Sequence, residues 1–137
     1  VEGAVRSADV VCCATTSETP VFEAAWLRPG AHVNGIGAYR LGMIELPPEL
    51  FGVAAPVAVD SRQAALAEAG DLVASIDRGL VADADLVEIG TIGREWVETR
   101  DPEAITAFKS VGLAIQDVAA AEIIVTRLLR STEAPAR

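Results

Sequence analysis

Ala8-Asp9-Val10-Val11-Cys12-Cys13-Ala14-Thr15 is the stretch on which the fold turns. It is short, rich in β-branched and apolar residues, and shows no clean polar–apolar alternation. Such a run predicts a strand buried on both faces, as in a parallel sheet. Thr15-Thr16-Ser17-Glu18-Thr19-Pro20 ends it. A short amphipathic segment from Val21 to Leu27 follows, then a turn at Arg28-Pro29-Gly30. Ala31-His32-Val33-Asn34-Gly35-Ile36-Gly37 reads as the second strand.

The pattern then repeats. Pro47-Pro48-Glu49-Leu50-Phe51 starts a short helix, because prolines suit a first helical turn. Pro56-Val57-Ala58-Val59-Asp60 is a third buried strand, and Asp60 or Ser61 caps the helix after it. That helix is expected from about Arg62 to Leu72, or on to Asp77, with Ala65, Leu66, Ala69, Leu72 and Val73 at helical spacing. Asp85 to Trp96 reads as another short helix, broken at Gly90 and Gly93; Arg100 to Glu103 is a loop. Ile105 to Ser110 is a fourth possible strand. The strongest helical signal runs from about Val111 to Arg130, through Val111, Ala114, Ile115, Val118, Ala121, Val125 and Leu128. Ile123, Ile124 and Leu129 widen its apolar surface, so it is expected to be packed on more than one side. Ser131 to Arg137 is expected to fray. Strand and helix in alternation imply an α/β fold with a parallel sheet and right-handed crossovers.

Composition narrows the function. Of 137 residues 51% are hydrophobic, enough for a core, and the length suits one domain or a piece of a larger one. Twenty acidic against eleven basic residues give a net charge of −9, which disfavours nucleic acid and anionic membrane as partners. No apolar run approaches the roughly 18 residues that span a bilayer. Val1-Glu2-Gly3-Ala4 carries no signal-peptide pattern. Cys12 and Cys13 are adjacent, so on a strand they face opposite ways and bridge poorly; they read as small core thiols, and a reducing, cytoplasmic compartment fits. One histidine and no Cys-x-x-Cys offer no zinc cluster.

A parallel sheet of this kind takes its ligand at the carboxyl ends of its strands. Here those ends carry Thr15-Thr16-Ser17 and Gly35-Ile36-Gly37-Ala38, small or hydroxyl-bearing residues that let a flat ligand approach the backbone. A Gly-x-Gly-x-x-Gly phosphate turn is missing: Gly37 is followed by Ala38, Tyr39 and Arg40. The first strand begins within ten residues of Val1, which leaves no room for that turn ahead of it. The expected architecture is therefore the C-terminal half of a Rossmann-type sheet.

Five phrases, in order, resemble the ornithine cyclodeaminase/mu-crystallin family. They are Ala8 to Ser17; Pro29-Gly30-Ala31-His32-Val33-Asn34-Gly35-Ile36-Gly37-Ala38-Tyr39-Arg40; Glu45-Leu46-Pro47-Pro48-Glu49-Leu50; Val59-Asp60-Ser61 with Glu68-Ala69-Gly70-Asp71-Leu72; and Phe108-Lys109-Ser110-Val111-Gly112-Leu113-Ala114-Ile115-Gln116-Asp117, the most specific. The resemblance covers about Ala8 to Leu128. It implies a two-domain, usually dimeric, NAD- or NADP-dependent oxidoreductase that exchanges hydride between a nicotinamide and a carbon bearing nitrogen, with a small imine or amino acid as substrate. On this reading residues 1–104 are the second half of the nucleotide-binding domain. Residues 105–137 are a strand and helix of a substrate and dimerisation domain that is mostly absent.

Position by position, the resemblance places Thr15 along the nicotinamide half of the cofactor. It sets Ile36, Gly37 and Ala38, with Tyr39, beside the nicotinamide ring, and lets Ser110 reach the same cofactor. Val111 and Gly112 border the substrate. Two departures matter. Tyr39 stands where ornithine-cyclising members carry a catalytic aspartate; a phenol titrates near ~10 and is no carboxylate base at neutral pH. That favours the ketimine-reductase or amino-acid-dehydrogenase side of the family, and a cofactor-contacting lysine near Met43 is also lost. The family's catalytic lysine, substrate-binding arginines and glycine-rich turn would all lie upstream of Val1. The chain is thus expected to be a C-terminal fragment, inactive alone.

Plainer roles stand beside these. Thr15, Thr16 and Ser17 also suit a helix-capping loop, Gly35 and Gly37 close strand packing, and Ser110 a cap on the last helix. His32 reads as a satisfied core residue, Lys109 as a solvated or salt-bridged lysine, and Trp26 and Trp96 as packing anchors. The alternative function is a non-catalytic remnant or a small-ligand binding module, with an unpaired strand edge and exposed apolar helix faces.

Overall fold

A short run of β-branched residues becomes a strand only where a neighbour pairs with its backbone, and four such runs do pair here. The structure, a computed structural model, describes residues 1–132. The strands are β1 (Val10–Cys13), β2 (His32–Gly35), β3 (Val57–Val59), β4 (Leu86–Glu88) and β5 (Thr106–Lys109). They form one wholly parallel sheet in the order β1-β2-β5-β3-β4. The helices are α1 (Glu2–Ser7), α2 (Pro48–Val53), α3 (Arg62–Glu68), α4 (Gly70–Asp77), α5 (Arg94–Thr99) and α6 (Ala114–Thr132).

The register lines up the core. Val11, Val33, Ala107, Val57 and Leu86 make one row across all five strands, and all but Val11 are almost fully buried. Phe22 and Leu27 from the β1–β2 connection, Leu46, Leu50 and Phe51 from the next, and Ala65, Ala69 and Leu72 from the third pack on this one face. These three connections all step the same way along the sheet. The return from β4 to β5 steps back across β3, and a right-handed crossover then has to use the other face. Trp96 of α5 does lie there, lining a cavity of about 370 Å³ with His32, Asn34 and Phe108.

Several expectations are corrected. The Asp85–Trp96 segment is not a helix: Leu86–Glu88 is a strand, a 3-10 turn covers Ile89–Thr91, and the helix starts only at Arg94. A three-residue strand is too short to show a period, and pairing with β3 makes it. The helix after Asp60 is two helices, broken at Ala69. Gly70 there lies against the carbonyls of Leu41 and Met43, where any side chain would collide. Of the two expected caps, Ser61 is the one that caps α3, accepting from the Ala64 N–H. The Val21–Leu27 segment holds only a 3-10 turn, Ala24–Trp26. β1 is not buried on both faces; it is an edge strand, with Val10 55% exposed. Cys13 is buried but Cys12 is exposed, and both thiols are free. α1, which no sequence signal announced, precedes the sheet.

The last helix starts at Ala114 rather than Val111, because Gly112 takes φ +87°. α6 is not packed on several sides: Ile115, Val118, Ile123, Ile124 and Val125 are each 54–66% exposed. β5, which begins just after residue 105, is hydrogen-bonded between β2 and β3. Of the expected fraying tail, residues 133–137 lie outside the described residues. Among the described residues no helix is long and apolar enough to cross a membrane.

Candidate functional site

The sheet order brings the carboxyl ends of β1, β2, β5 and β3 side by side, and every sequence-predicted site residue lies on that rim. Beyond the last β1–β2 pair, Cys13 with Gly35, the Ile36 N–H donates to the Cys13 carbonyl at 3.0 Å. Gly37 then presses on the Thr15 peptide so closely that a β-carbon would overlap it. Glycine is required here by contact, not by turn geometry. Thr15 is exposed, and its Oγ1 accepts from the Ser17 N–H at 3.3 Å. Ile36 is 54% exposed and offers an apolar surface at the rim.

Ala38 behaves differently from its neighbours. Its side chain is fully buried, and its carbonyl accepts from Lys109 Nζ at 2.8 Å. Tyr39 is 41% exposed, with the Arg40 guanidinium 5.0 Å above its ring and also donating to its hydroxyl at 3.0 Å.

Ser110 is buried and its hydroxyl donates to Asp60 Oδ2 at 2.7 Å. The same oxygen accepts the Val111 and Gly112 N–H groups, each at 3.0 Å, while Oδ1 accepts from Ser61 at 2.9 Å. One carboxylate thus binds the end of β3 to the end of β5. Ser110, Val111 and Gly112 are brought together by it. Thr15 and Gly37 are brought together separately, at the β1–β2 end.

Four charged side chains make this rim, and sequence reasoning assigned none of them there. Glu45 is fully buried and accepts the N–H groups of Thr15 and of Gly37, the latter at 3.0 Å. Lys109 is fully buried on the covered face, 3.4 Å from Asp71. Asp71 also accepts from Leu46 at 3.3 Å and Leu72 at 2.9 Å. Burial pushes the Asp71 carboxyl above its ordinary value, and the Lys109 charge beside it pulls it partly back. Burial, helped by Glu45, lifts the Cys13 thiol to about 11. The signals available were thin: Asp60 directly ends an apolar run, and Glu45 sits between Ile44 and Leu46. On the opposite face His32 is satisfied at both nitrogens, by Thr106 at 2.7 Å and Asn34 at 3.2 Å. A larger apolar cavity, about 600 Å³, lies beside α2 and Ile105, at the other end of β5 from the rim.

A sequence profile of the ornithine cyclodeaminase/mu-crystallin family matches residues 1–132. The chain belongs to this family. It is 43% identical over 128 residues to the Delta(1)-pyrroline-2-carboxylate reductase of Bacillus cereus, covering 92% of this chain and 39% of that protein. It is 38% identical over 125 residues to the ketimine reductase mu-crystallin of Mus musculus, covering 90% and 37%. Among solved structures, it superposes with TM-score 0.83 at 28% identity on the Thermococcus litoralis Delta(1)-pyrroline-2-carboxylate reductase in complex with NADH and L-proline. That match covers 100% of this chain and 43% of the other. The chain therefore spans about two fifths of the length of the family members it matches.

Proposed function

We propose that this chain supplies the nicotinamide-holding part of an NAD(P)-dependent reductase of small cyclic imines. The observation that carries the reading is the join between the rim and the relatives: these include imine reductases, and Thr15, Ile36, Gly37 and Ser110 lie at the carboxyl ends of adjacent strands. When bound, the nicotinamide supplies the hydride; the protein holds and orients it.

The rim residues fit such a ring. Thr15 and Ser110 carry hydroxyls, Ile36 gives an exposed apolar face, and Gly37 lets the ends of β1 and β2 close against each other. The Ser110 proton is committed to Asp60 and its oxygen accepts the Gly112 N–H at 3.2 Å, so a carboxamide N–H would use the oxygen's remaining acceptor capacity. Ala38 contributes through its backbone, held by Lys109. Tyr39, with Arg40 over its ring, lines the entrance and offers no carboxylate base, so imine reduction is favoured over ornithine cyclisation. Val111 and Gly112, fixed by Asp60, border the substrate. α6, with its exposed apolar residues, is suited to seat against a substrate and dimerisation domain, and free thiols suit a reducing cytoplasm. Fluorescence titration with NADH and NADPH tests the reading. Saturable binding is expected, with Ser110→Ala weakening it about tenfold, the loss of one hydrogen bond to a ligand. A chain that saturates with neither cofactor refutes it.

A further inference from the structure

Glu45 belongs to no strand or helix, yet it is fully buried and both its oxygens are spent. Oε1 accepts from the Thr15 N–H and Oε2 from the Gly37 N–H. These amides lie just past the last ladder pair of β1 and β2, Cys13 with Gly35. Two N–H donors on neighbouring strand ends cannot satisfy each other, so a shared acceptor has to hold them. A carboxylate does this with two charge-assisted bonds at once. The brace is itself held: Leu46, the next residue, donates to Asp71, and Asp71 pairs with Lys109, which anchors the Ala38 carbonyl. The loop carrying Glu45 is therefore stitched to the same strand ends from below.

We infer that Glu45 is a positioning residue for the nicotinamide seat: its carboxylate fixes the spacing of Thr15 and Gly37 so that the ring can lie across the joined ends of β1 and β2. The inference rests on the proposed cofactor site and deepens it. Glu45 does not touch the ligand; it acts through the two backbone segments it holds. Gly37 admits no β-carbon against Thr15, so the gap has little slack, and losing the brace is felt at once on the ligand side.

The test is titration of the isotope-labelled chain with NADH, followed by the amide signals of Thr15 and Gly37, in wild type, Glu45→Gln and Ser75→Ala. Ser75 is buried and donates to the Pro48 carbonyl at 3.0 Å, away from the rim, so its variant serves as a stability control. Gln keeps the shape but can accept at one oxygen only. Expected are at least tenfold weaker NADH binding in E45Q, at least tenfold faster hydrogen exchange at Thr15 or Gly37, and wild-type binding in S75A at a comparable melting loss. E45Q binding within twofold of wild type overturns the inference alone. Equal weakening in E45Q and S75A also overturns it, since the effect is then general instability. A wild-type chain whose Thr15 and Gly37 signals ignore NADH overturns the site reading and this inference with it. If E45Q fails to fold, the wild-type spectra decide: Thr15 and Gly37 amides must be protected from exchange before NADH is added and must shift after it, and unprotected amides refute the brace.

Discussion

At the carboxyl rim of the sheet, Glu45, Asp60, Asp71 and Lys109 are buried, and each is hydrogen-bonded or ion-paired within the chain. Along α6, Ile115, Val118, Ile123, Ile124 and Val125 stand more than half exposed. The two regions invert the usual placement of charge and oil. A buried charge is tolerated where partners satisfy it, and the rim meets that condition without outside help. An apolar helix surface left in water lowers no free energy by itself. The rim is therefore satisfied within this chain, while α6 leaves large apolar side chains exposed.

The sharpest way to break this contrast is Lys109→Met. It leaves Asp71 buried without its cation and is expected to cost about 3–5 kcal/mol in a denaturant melt. The double variant Lys109→Met/Asp71→Leu removes both charges and is expected to recover most of that loss. An unchanged melt in the single variant would show that the pair is not what settles the rim.

Alkaline pH probes the same layer more gently. The Cys13 thiol is lifted from 9.0 to about 11, so the folded chain holds that proton more tightly than the unfolded one. Stability from this source is present below pH 9 and is lost as pH rises through about 11, by about 2–3 kcal/mol in all. Cys13→Val is expected to remove that part of the alkaline slope. At pH 8 roughly one Cys13 in a thousand is thiolate, so alkylation should label the exposed Cys12 and spare Cys13; mass mapping of the labelled peptide checks it.

The smallest effect on folding belongs to α6. Ile123→Glu is expected to move the melt by no more than about 0.5 kcal/mol, as for other exposed sites. Its consequence is read instead by sedimentation, where a wild-type tendency to associate at high concentration should fall. A large loss of stability would mean that α6 is already packed, and the comparison with the rim would fail.

Much of the scaffold could be read from one-dimensional pattern. The apolar runs around Val10, Val33, Val57 and Ala107 are strands, Pro48 opens a helix, and Ser61 caps one, because strand-forming composition and helix capping are local properties. The ordered phrases from Ala8 to Asp117 likewise determined the family. The site was legible only as a rim of small and hydroxyl residues. What holds that rim was not, because each partner comes from far along the chain: Glu45 reaches back 30 residues to Thr15, Asp60 forward 50 to Ser110, and Lys109 back 71 to Ala38. Tertiary structure alone decided that β5 threads between β2 and β3, that three residues at Leu86–Glu88 suffice for a strand, and that an ordinary-looking lysine and glutamate are buried. Periodicity reports which face a residue turns to; only the folded sheet reports what waits on that face, and for a charge that is the whole of its energy.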